Sequence, residues 1–340
     1  MVLLDNDRTL AAYDEPDERW DALQEQMVSG ELSHASPGGS IASVEWGGGV
    51  DAVLPAVLAA LNADGVCVVK NAMSAATAAA IREQMEPHLA RLEATNGMAK
   101  GMAAQPKAKP DDDDAAAAAS APAGRRAGAV LSRSEAAWEP VQHPLVMALL
   151  EGVLGRQVLT KTREEMQSEL FYSRMKRKSA SDDEPQERKG GVRQHPFQLD
   201  FTGVVEVAAD GGVAQGLHID TGKHMYEFRG ALDPSISVLW ALSPFTPENG
   251  ATRLAKGSSR WPLDRVPKEE ELTPAVMDTG SFIIFRGATY HGAGGNSTPE
   301  TRAALLFTYS LGWLRQGKQE SGVYVPPARA SQRAAFTLSD

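Results

Sequence analysis

The second half of this 340-residue chain carries four strand-like apolar runs, and turn-forming residues separate them. Their sequences are QLDFTGVVEV at 198–207, ISVLWALSPF at 236–245, SFIIFRG at 281–287 and RAALLFTYSLGW at 302–313. The intervening DGG, PENG and AGGNS segments are typical of tight turns between short strands. Several strands at this spacing predict a barrel or a sandwich of two sheets, so this half of the chain decides the fold class.

The first half adds helices to this framework. Residues 51–61 have the apolar composition of a helix, and the strand-like GVCVVK follows at 65–70. Ser74 is a suitable N-cap for a long helix that begins directly after it. The predicted buried side of that helix consists of Ile81, Met85, Leu89 and Leu92. We therefore expect a mainly β fold with flanking helices.

Composition along the chain predicts one main domain at 46–316, an N-terminal extension at 1–45 and a C-terminal tail at 317–340. Residues 96–127 contain almost no large apolar side chains, so burial cannot offset the entropy cost of ordering them. We expect a disordered insertion there. The polar stretch at 176–196 predicts an exposed loop, which is a candidate lid over a nearby site.

Charge and cysteine content exclude several classes of function. The 44 acidic residues outnumber the 34 basic ones and give a net charge of −10, which disfavours binding to a nucleic-acid backbone. The single cysteine excludes internal disulfides, zinc–thiolate clusters and iron–sulfur clusters. We see no signal peptide and no apolar run long enough to cross a membrane, so we expect a cytoplasmic protein without a membrane partner.

Three residues have the types and spacing of a metal site, and we call them the triad: His218, Asp220 and His291. On a strand, residues i and i+2 point to the same face, so the first two side chains would converge. His291 follows a strongly apolar strand, and the glycines behind it allow the backbone to approach a ligand. Two imidazoles and one carboxylate are the ligand set of non-haem Fe(II) oxygenases.

Further polar residues suit a cosubstrate beside such a metal. Arg302 lies 11 residues after His291, at the start of the next predicted strand. A guanidinium can hold a carboxylate through two parallel hydrogen bonds, as an oxygenase that binds a 2-oxo acid requires. Gln215 and Thr252 can supply neutral hydrogen bonds to the same oxygen-rich molecule.

The order of motifs resembles the phytanoyl-CoA dioxygenase family. The motifs are Q-x-x-H-x-D, W-A-L-S-P, E-N-G-A-T-R, K-G-S-S, D-T-G-S-F-I-I-F, H-x10-R and Y-S-L-G-W-L-R-Q. The resemblance covers about residues 199–316 and extends with fewer motifs over 51–155. It implies a double-stranded β-helix, which is a cupin-like jelly roll.

The resemblance also implies a reaction and a role for each candidate residue. The triad would bind Fe(II), Arg302 would bind the C5 carboxylate of 2-oxoglutarate, and Gln215 and Thr252 would contact this cosubstrate. With O2, such an enzyme hydroxylates a C–H bond of a small-molecule or acyl substrate and releases succinate and CO2. The sequence leaves the identity of that substrate and the oligomeric state open.

Two other classes of function use the same framework. A non-catalytic jelly-roll binding protein is one alternative, and loss of a triad residue or of Arg302 would have favoured it. A zinc hydrolase with the same three ligands is another. It would need a general base near the metal-bound water, whereas no glutamate directly flanks the triad.

Three residues outside the triad carry expectations of their own. Cys67 lies in an apolar strand-like run, which predicts a buried and inert thiol. Trp240 alternates within another such run and is expected in the core. Arg286 ends an apolar strand, where it could be an ion-pair partner or a contact for an acidic substrate.

Overall fold

The computed structural model describes residues 39–47, 49–95, 124–155, 197–220, 234–262, 265–312 and 314. Most of the predicted N-terminal extension, the bulk of the predicted insertion, the candidate lid at 176–196 and the tail at 317–340 lie outside the described residues. Among the described residues, none of the helices is long and apolar enough to cross a membrane.

A seven-stranded sheet, here called the large sheet, forms the framework of the molecule. In spatial order its strands are β1 (Ser43–Glu45), β2 (Val66–Lys70), β8 (Phe282–Arg286), β5 (Ser235–Ala241), β10 (Arg302–Leu311), β4 (Phe197–Val207) and β3 (Arg126–Gly128). Neighbouring strands are antiparallel, except that β1 and β2 are parallel.

A second, three-stranded sheet, the small sheet, has the order β7 (Leu272–Pro274), β6 (Thr252–Ala255) and β9 (His291–Ala293). From β5 onward the chain passes back and forth between the sheets: β5 is in the large one, β6 and β7 are in the small one, β8 is in the large one, β9 in the small one and β10 in the large one. This winding is that of a double-stranded β-helix. The predicted fold class, a mainly β jelly roll with flanking helices, is confirmed.

Helices cover the outer face of the large sheet. They are α1 (Val50–Asp64), α2 (Ala75–Thr95), α3 (Val130–Arg133), α4 (Trp138–Val141) and α5 (Pro144–Leu150). Helix α1 ends at Gly65, whose positive φ of 73° allows its amide to donate to the Leu61 carbonyl. The hydroxyl of Ser74 accepts a hydrogen bond from the Thr77 amide at 3.0 Å, so the predicted N-cap of α2 is confirmed.

The apolar side chains form two layers, one on each face of the large sheet. The outer layer joins the helices to alternate residues of β5 such as Ile236, Val238 and Trp240. The inner layer lies between the sheets and joins Leu239 of β5 to Leu254 of β6. Alternation with a period of two along β5 therefore sends one set of side chains outward and the other toward the space between the sheets.

The expectations for Trp240 and Cys67 are confirmed. Trp240 and Cys67 are fully buried, and burial raises the pKa of the Cys67 thiol to about 12, so the thiol stays protonated and inert. Arg286 is also buried, and its guanidinium donates to the Leu61 carbonyl and the Asn62 side-chain oxygen. It holds the end of α1 against the large sheet.

Two predicted boundaries were wrong. Ser43–Glu45 forms β1, so the folded domain begins before residue 46. Arg126–Gly128 forms β3, so the predicted disordered insertion at 96–127 ends too late. Pairing with β4 holds β3 in place, and Arg125 adds ion pairs to Glu86 and Glu206. Such long-range contacts leave no local apolar pattern in the sequence.

Candidate metal centre

The backbone brings the three triad residues together at one end of the small sheet. His218 and His291 exchange two backbone hydrogen bonds, at 2.9 and 3.0 Å, which adds an isolated bridge beside β9. The amide of Asp220 donates to the Gly287 carbonyl at 2.8 Å. One potential ligand atom from each side chain lies within 4.8 Å of the others.

The reason for this convergence differs from the predicted one. The H-x-D segment was expected on a strand, where both side chains would share a face. His218 instead lies in the isolated bridge, and Asp220 is anchored separately to the turn after β8. Long-range backbone contacts therefore place these two side chains.

The two imidazole rings are oriented alike. Nδ1 of His218 lies 3.1 Å from the Gly216 carbonyl oxygen, and Nδ1 of His291 lies 3.0 Å from that of Thr289. A carbonyl oxygen only accepts, so we assign the proton to Nδ1 and the lone pair to Nε2 in each ring. The Nε2 atoms lie 3.9 and 3.8 Å from Oδ1 of Asp220. Three donor atoms thus face a common point.

The hydroxyl of Ser237 hydrogen-bonds to the Asp220 carboxylate. Oγ of Ser237, on β5, donates to Oδ2 of Asp220 at 2.5 Å, which is a short charge-assisted hydrogen bond. The hydroxyl of Thr308, on β10, lies 3.2 Å from the same Ser237 oxygen. The large sheet therefore holds one carboxylate oxygen while the other faces the histidines.

Burial favours the neutral form of the His291 imidazole. Burial lowers the pKa of His291 below its ordinary value, and the adjacent His218 adds to the effect, while Asp220 opposes it. The His218 side chain is 38% exposed, compared with 9% for His291, so the site is more open on the His218 side. Two imidazoles and a carboxylate, without any thiolate, fit a hard or borderline divalent ion such as Fe(II).

Arg302 is buried and begins β10, where the sequence analysis predicted the start of a strand. Its Nε and Nη2 atoms donate to the Gly250 carbonyl at 3.2 and 2.8 Å, and its guanidinium lies 4.5 Å from the Phe245 ring centre. Burial lowers its pKa to about 10, so it is a cation at neutral pH. Gly250 packs against Gly294 of the chain that follows β9.

Gln215 and Thr252 both flank Ala293, two residues after His291. The Gln215 amide donates to the Ala293 carbonyl at 2.9 Å, and its side-chain oxygen accepts from the Ala293 amide at 3.4 Å. Thr252 is buried and pairs with Ala293 across β6 and β9. It shares a sheet face with His291, because Leu254, two residues on, is the cross-strand partner of that histidine.

The glycine after His291 allows a close approach, but to protein rather than to a ligand. A Cβ atom at Gly292 would lie 2.9 Å from the Gln215 carbonyl oxygen and 3.3 Å from that of Gly216. Gly216 is the residue whose carbonyl orients the His218 ring. Gly292 therefore lets the segment that carries His218 lie directly against β9.

Ser237 and Thr308 were missed by the sequence analysis. The sequence did offer one signal, because each of these hydroxyl residues lies within a strand-like run that is otherwise mostly apolar. That signal does not reveal a partner as distant in sequence as Asp220, because the contact depends on which face of β5 meets the turn after His218.

Comparison with known proteins identifies the chain's relatives. A family model described as phytanoyl-CoA dioxygenase matches residues 61–304. The chain is 42% identical over 99 residues to the dioxygenase trt7 of Aspergillus terreus, covering 28% of this chain and 35% of that protein. It is 36% identical over 126 residues to the multifunctional dioxygenase ausE of Aspergillus calidoustus, covering 33% of this chain and 41% of that protein. The matched regions span less than half the length of these curated relatives.

Two solved structures are also similar to this chain. The epimerase SnoN in complex with Fe3+, alpha-ketoglutarate and nogalamycin RO is 16% identical with a TM-score of 0.46, covering 76% of this chain and 84% of that one. EctD from S. alaskensis with bound Fe is 18% identical with a TM-score of 0.48, covering 76% of this chain and 77% of that one.

Proposed function

The chain belongs to the phytanoyl-CoA dioxygenase family, and we propose that it is an Fe(II)- and 2-oxoglutarate-dependent dioxygenase acting on a small molecule. The observation that carries this proposal is the convergence of two Nε2 atoms and one carboxylate oxygen from His218, His291 and Asp220. Three such ligands would hold Fe(II) and would leave room at the metal for other molecules.

Each protein group would have a defined task. The triad would hold Fe(II), with both imidazoles neutral and both Nδ1 protons directed to backbone carbonyls. When bound, iron and 2-oxoglutarate supply the reduction of O2, in which 2-oxoglutarate becomes succinate and CO2 and the substrate C–H becomes C–OH. The protein contributes ligand geometry and a site partly shielded from water.

Arg302 would anchor the far carboxylate of 2-oxoglutarate. Its guanidinium is buried, and the Gly250 carbonyl and the Phe245 ring fix its orientation. A fixed, buried cation of this kind attracts a carboxylate without ordering a long side chain at the moment of binding. We propose Gln215 and Thr252 as neutral contacts to the cosubstrate, since they lie close to His291 along β9 and β6.

The substrate is a small molecule by this proposal, hydroxylated at a C–H bond. The relatives named above are described as dioxygenases, one of them as multifunctional, and this supports oxidation chemistry without indicating a particular substrate. We also propose that the protein acts in the cytoplasm. We propose that it has no nucleic-acid partner, because its net charge of −10 disfavours binding to a phosphate backbone.

An anaerobic titration of the full chain with Fe(II) and 2-oxoglutarate tests this function. We expect a weak visible absorption band that requires both additions and that His291→Ala abolishes. His88→Ala is the matched control, because His88 is only half-buried and lies on α2, whose buried side chains belong to the outer layer. If the wild type gives no band and instead holds zinc tightly, the zinc-hydrolase alternative replaces this proposal.

A further inference from the structure

We propose that Ser237 and Thr308 are positioning residues that hold the Asp220 carboxylate so that Oδ1, and not both oxygens, is presented to the metal. This inference rests on the proposed function, because it concerns the metal that the triad would bind. It assigns a role to two hydroxyls that lie on the large sheet, outside the segments that supply the triad.

The two hydroxyls are neighbours across strands. Ser237 of β5 and Thr308 of β10 are cross-strand partners, and both are buried. Their side chains point into the space between the sheets, because adjacent residues of β5 such as Val238 belong to the outer layer. The hydroxyls therefore reach the site from the sheet opposite to the one that carries His291.

The chemistry of the groups fixes the direction of both hydrogen bonds. An ionised carboxylate only accepts, so the single hydroxyl proton of Ser237 goes to Oδ2 of Asp220, at 2.5 Å. The Ser237 oxygen, 3.2 Å from the Thr308 hydroxyl, must then accept the Thr308 proton. The result is a relay from Thr308 through Ser237 to Asp220, in which each bond polarises and strengthens the next.

This relay settles which carboxylate oxygen faces the metal position. The short bond from Ser237 holds Oδ2, and Oδ1 lies 3.9 and 3.8 Å from the Nε2 atoms of His218 and His291. A carboxylate held in this way binds an ion through one oxygen. Partners of this kind in a metal site change metal affinity by about 10- to 100-fold when they are removed.

The same face of the large sheet supplies matched controls. Ser235 and Ser310 are the next cross-strand pair along β5 and β10, and both are fully buried. Neither hydroxyl has a hydrogen-bond partner among the described residues. Removing either one deletes a buried hydroxyl from the same surface without touching Asp220.

The test measures the affinity of the full chain for Co(II), used as an air-stable probe, by competition with a chromophoric chelator. We expect Ser237→Ala to raise the Kd by about 10- to 100-fold and Thr308→Val, which keeps the side-chain shape, to raise it by roughly threefold. Ser237→Thr retains the hydroxyl and should restore affinity to within about threefold. Ser235→Ala and Ser310→Ala should stay within about twofold of the wild type.

The outcomes separate this inference from the proposed function. Equal Co(II) affinity in Ser237→Ala and wild type, or an equal loss in Ser235→Ala, would overturn the positioning role while leaving the metal centre in place. Absence of Co(II) binding that depends on His218 in the wild type would instead overturn the metal centre, and the positioning role with it. If Ser237→Ala does not fold, as judged by circular dichroism, unchanged affinity in Thr308→Val overturns the relay.

Discussion

Hydrogen bonds to backbone carbonyls decide which atoms of the candidate metal centre face the metal position. Each triad histidine directs its Nδ1 proton to a carbonyl two residues earlier in the chain, at 3.1 Å for His218 and 3.0 Å for His291. The donors are therefore set before a metal arrives. Such preorganisation reduces the ordering cost of binding, because no ring has to reorient.

Arg302 carries the prediction that most directly concerns the cosubstrate. Losing a buried, charge-assisted pair typically costs about 2–5 kcal/mol, so Arg302→Ala should raise the 2-oxoglutarate concentration needed for half-maximal succinate formation by roughly 30-fold or more. Arg302→Lys should recover only part of this loss, since an ammonium lacks the fork geometry. Iron content should stay close to that of the wild type in both variants.

Arg286→Lys provides the comparison for Arg302, because Arg286 is equally buried but bonds to Leu61 and Asn62. We expect it to lower the free energy of unfolding and to leave the 2-oxoglutarate requirement unchanged. A wild-type cosubstrate curve in folded, iron-loaded Arg302→Ala would contradict the role assigned to Arg302.

His143 makes a pH-dependent contribution to stability. It is buried, it lies edge-on to Trp46 and Trp240, and its Nδ1 atom has no hydrogen-bond partner among the described residues. Burial lowers its pKa from 6.5 to about 4. The neutral ring is therefore favoured in the folded state, and this contribution is complete above pH 6.5 and is lost as the pH falls toward 4.

The pKa difference for His143 corresponds to about 3 kcal/mol of unfolding free energy between the two pH values. His143→Phe keeps an aromatic ring in the same place without a titrating group, so its unfolding free energy should fall less on acidification. Urea denaturation of both proteins at pH 7 and pH 4.5 measures the difference. Parallel pH profiles would show that His143 does not titrate in this way.

At the residue scale, the candidate metal ligands could be proposed from the sequence, whereas the residues that hydrogen-bond to those ligands could not. An H-x-D pair alone is a weak signal, and His218, Asp220 and His291 could be chosen because Arg302 and the order of motifs around them match the ligand set of non-haem Fe(II) oxygenases. The role of Ser237 could not be predicted in this way. Its contact with Asp220 depends on how β5 of the large sheet packs against the segment after His218. A local sequence pattern does not indicate which residues meet across that packing.

Among the elements, the small sheet depends on close approach between backbones. Gly292 of β9 lies against the carbonyl oxygens of Gln215 and Gly216, where a side chain would collide with backbone atoms. Because the Gly216 carbonyl orients His218, the spacing between these two segments also sets the geometry of one ligand. The contact that packs β9 against the Gln215–Gly216 segment therefore also orients the His218 ring.

Gly292→Ala should therefore weaken metal binding even though Gly292 is not a ligand. The added Cβ must move the Gln215–Gly216 backbone and with it the His218 ring, and we expect a rise of roughly tenfold in the Kd for Co(II). Gly295→Ala is the control, since its nearest contact would be an ordinary 3.4 Å from the Gly212 carbonyl oxygen. Equal affinities in the two variants would contradict the account.

The elements themselves were predictable where apolar residues are dense. The run predicted at 302–313 corresponds to β10, Arg302–Leu311, and the run at 281–287 to β8, Phe282–Arg286. Strand β3, Arg126–Gly128, was missed because three small or charged residues form no periodic pattern. It exists through its pairing with β4, which is a contact between residues far apart in sequence.

Over the whole molecule, the winding of the chain brings together groups that are far apart in sequence. The passage of the chain between the two sheets places His291 of β9 opposite Ser237 of β5, so that the small sheet carries one ligand and the large sheet holds the carboxylate of another. The turn pattern predicted a barrel or a sandwich of two sheets, and the resemblance of motifs implied the jelly-roll order. The pairing of individual strands follows from long-range contacts, which neither the turn pattern nor the motifs specify.

The central claim is that this chain couples O2 reduction to the oxidation of 2-oxoglutarate at the triad. The most direct test is to supply oxygen-18 gas to the full chain with Fe(II) and 2-oxoglutarate and to measure succinate by mass spectrometry. The account predicts succinate with one oxygen-18 atom, in the wild type and not in His218→Ala. The account would be contradicted if the iron-loaded wild type formed no more succinate than His218→Ala does. It would also be contradicted if the succinate formed by the wild type carried no oxygen-18.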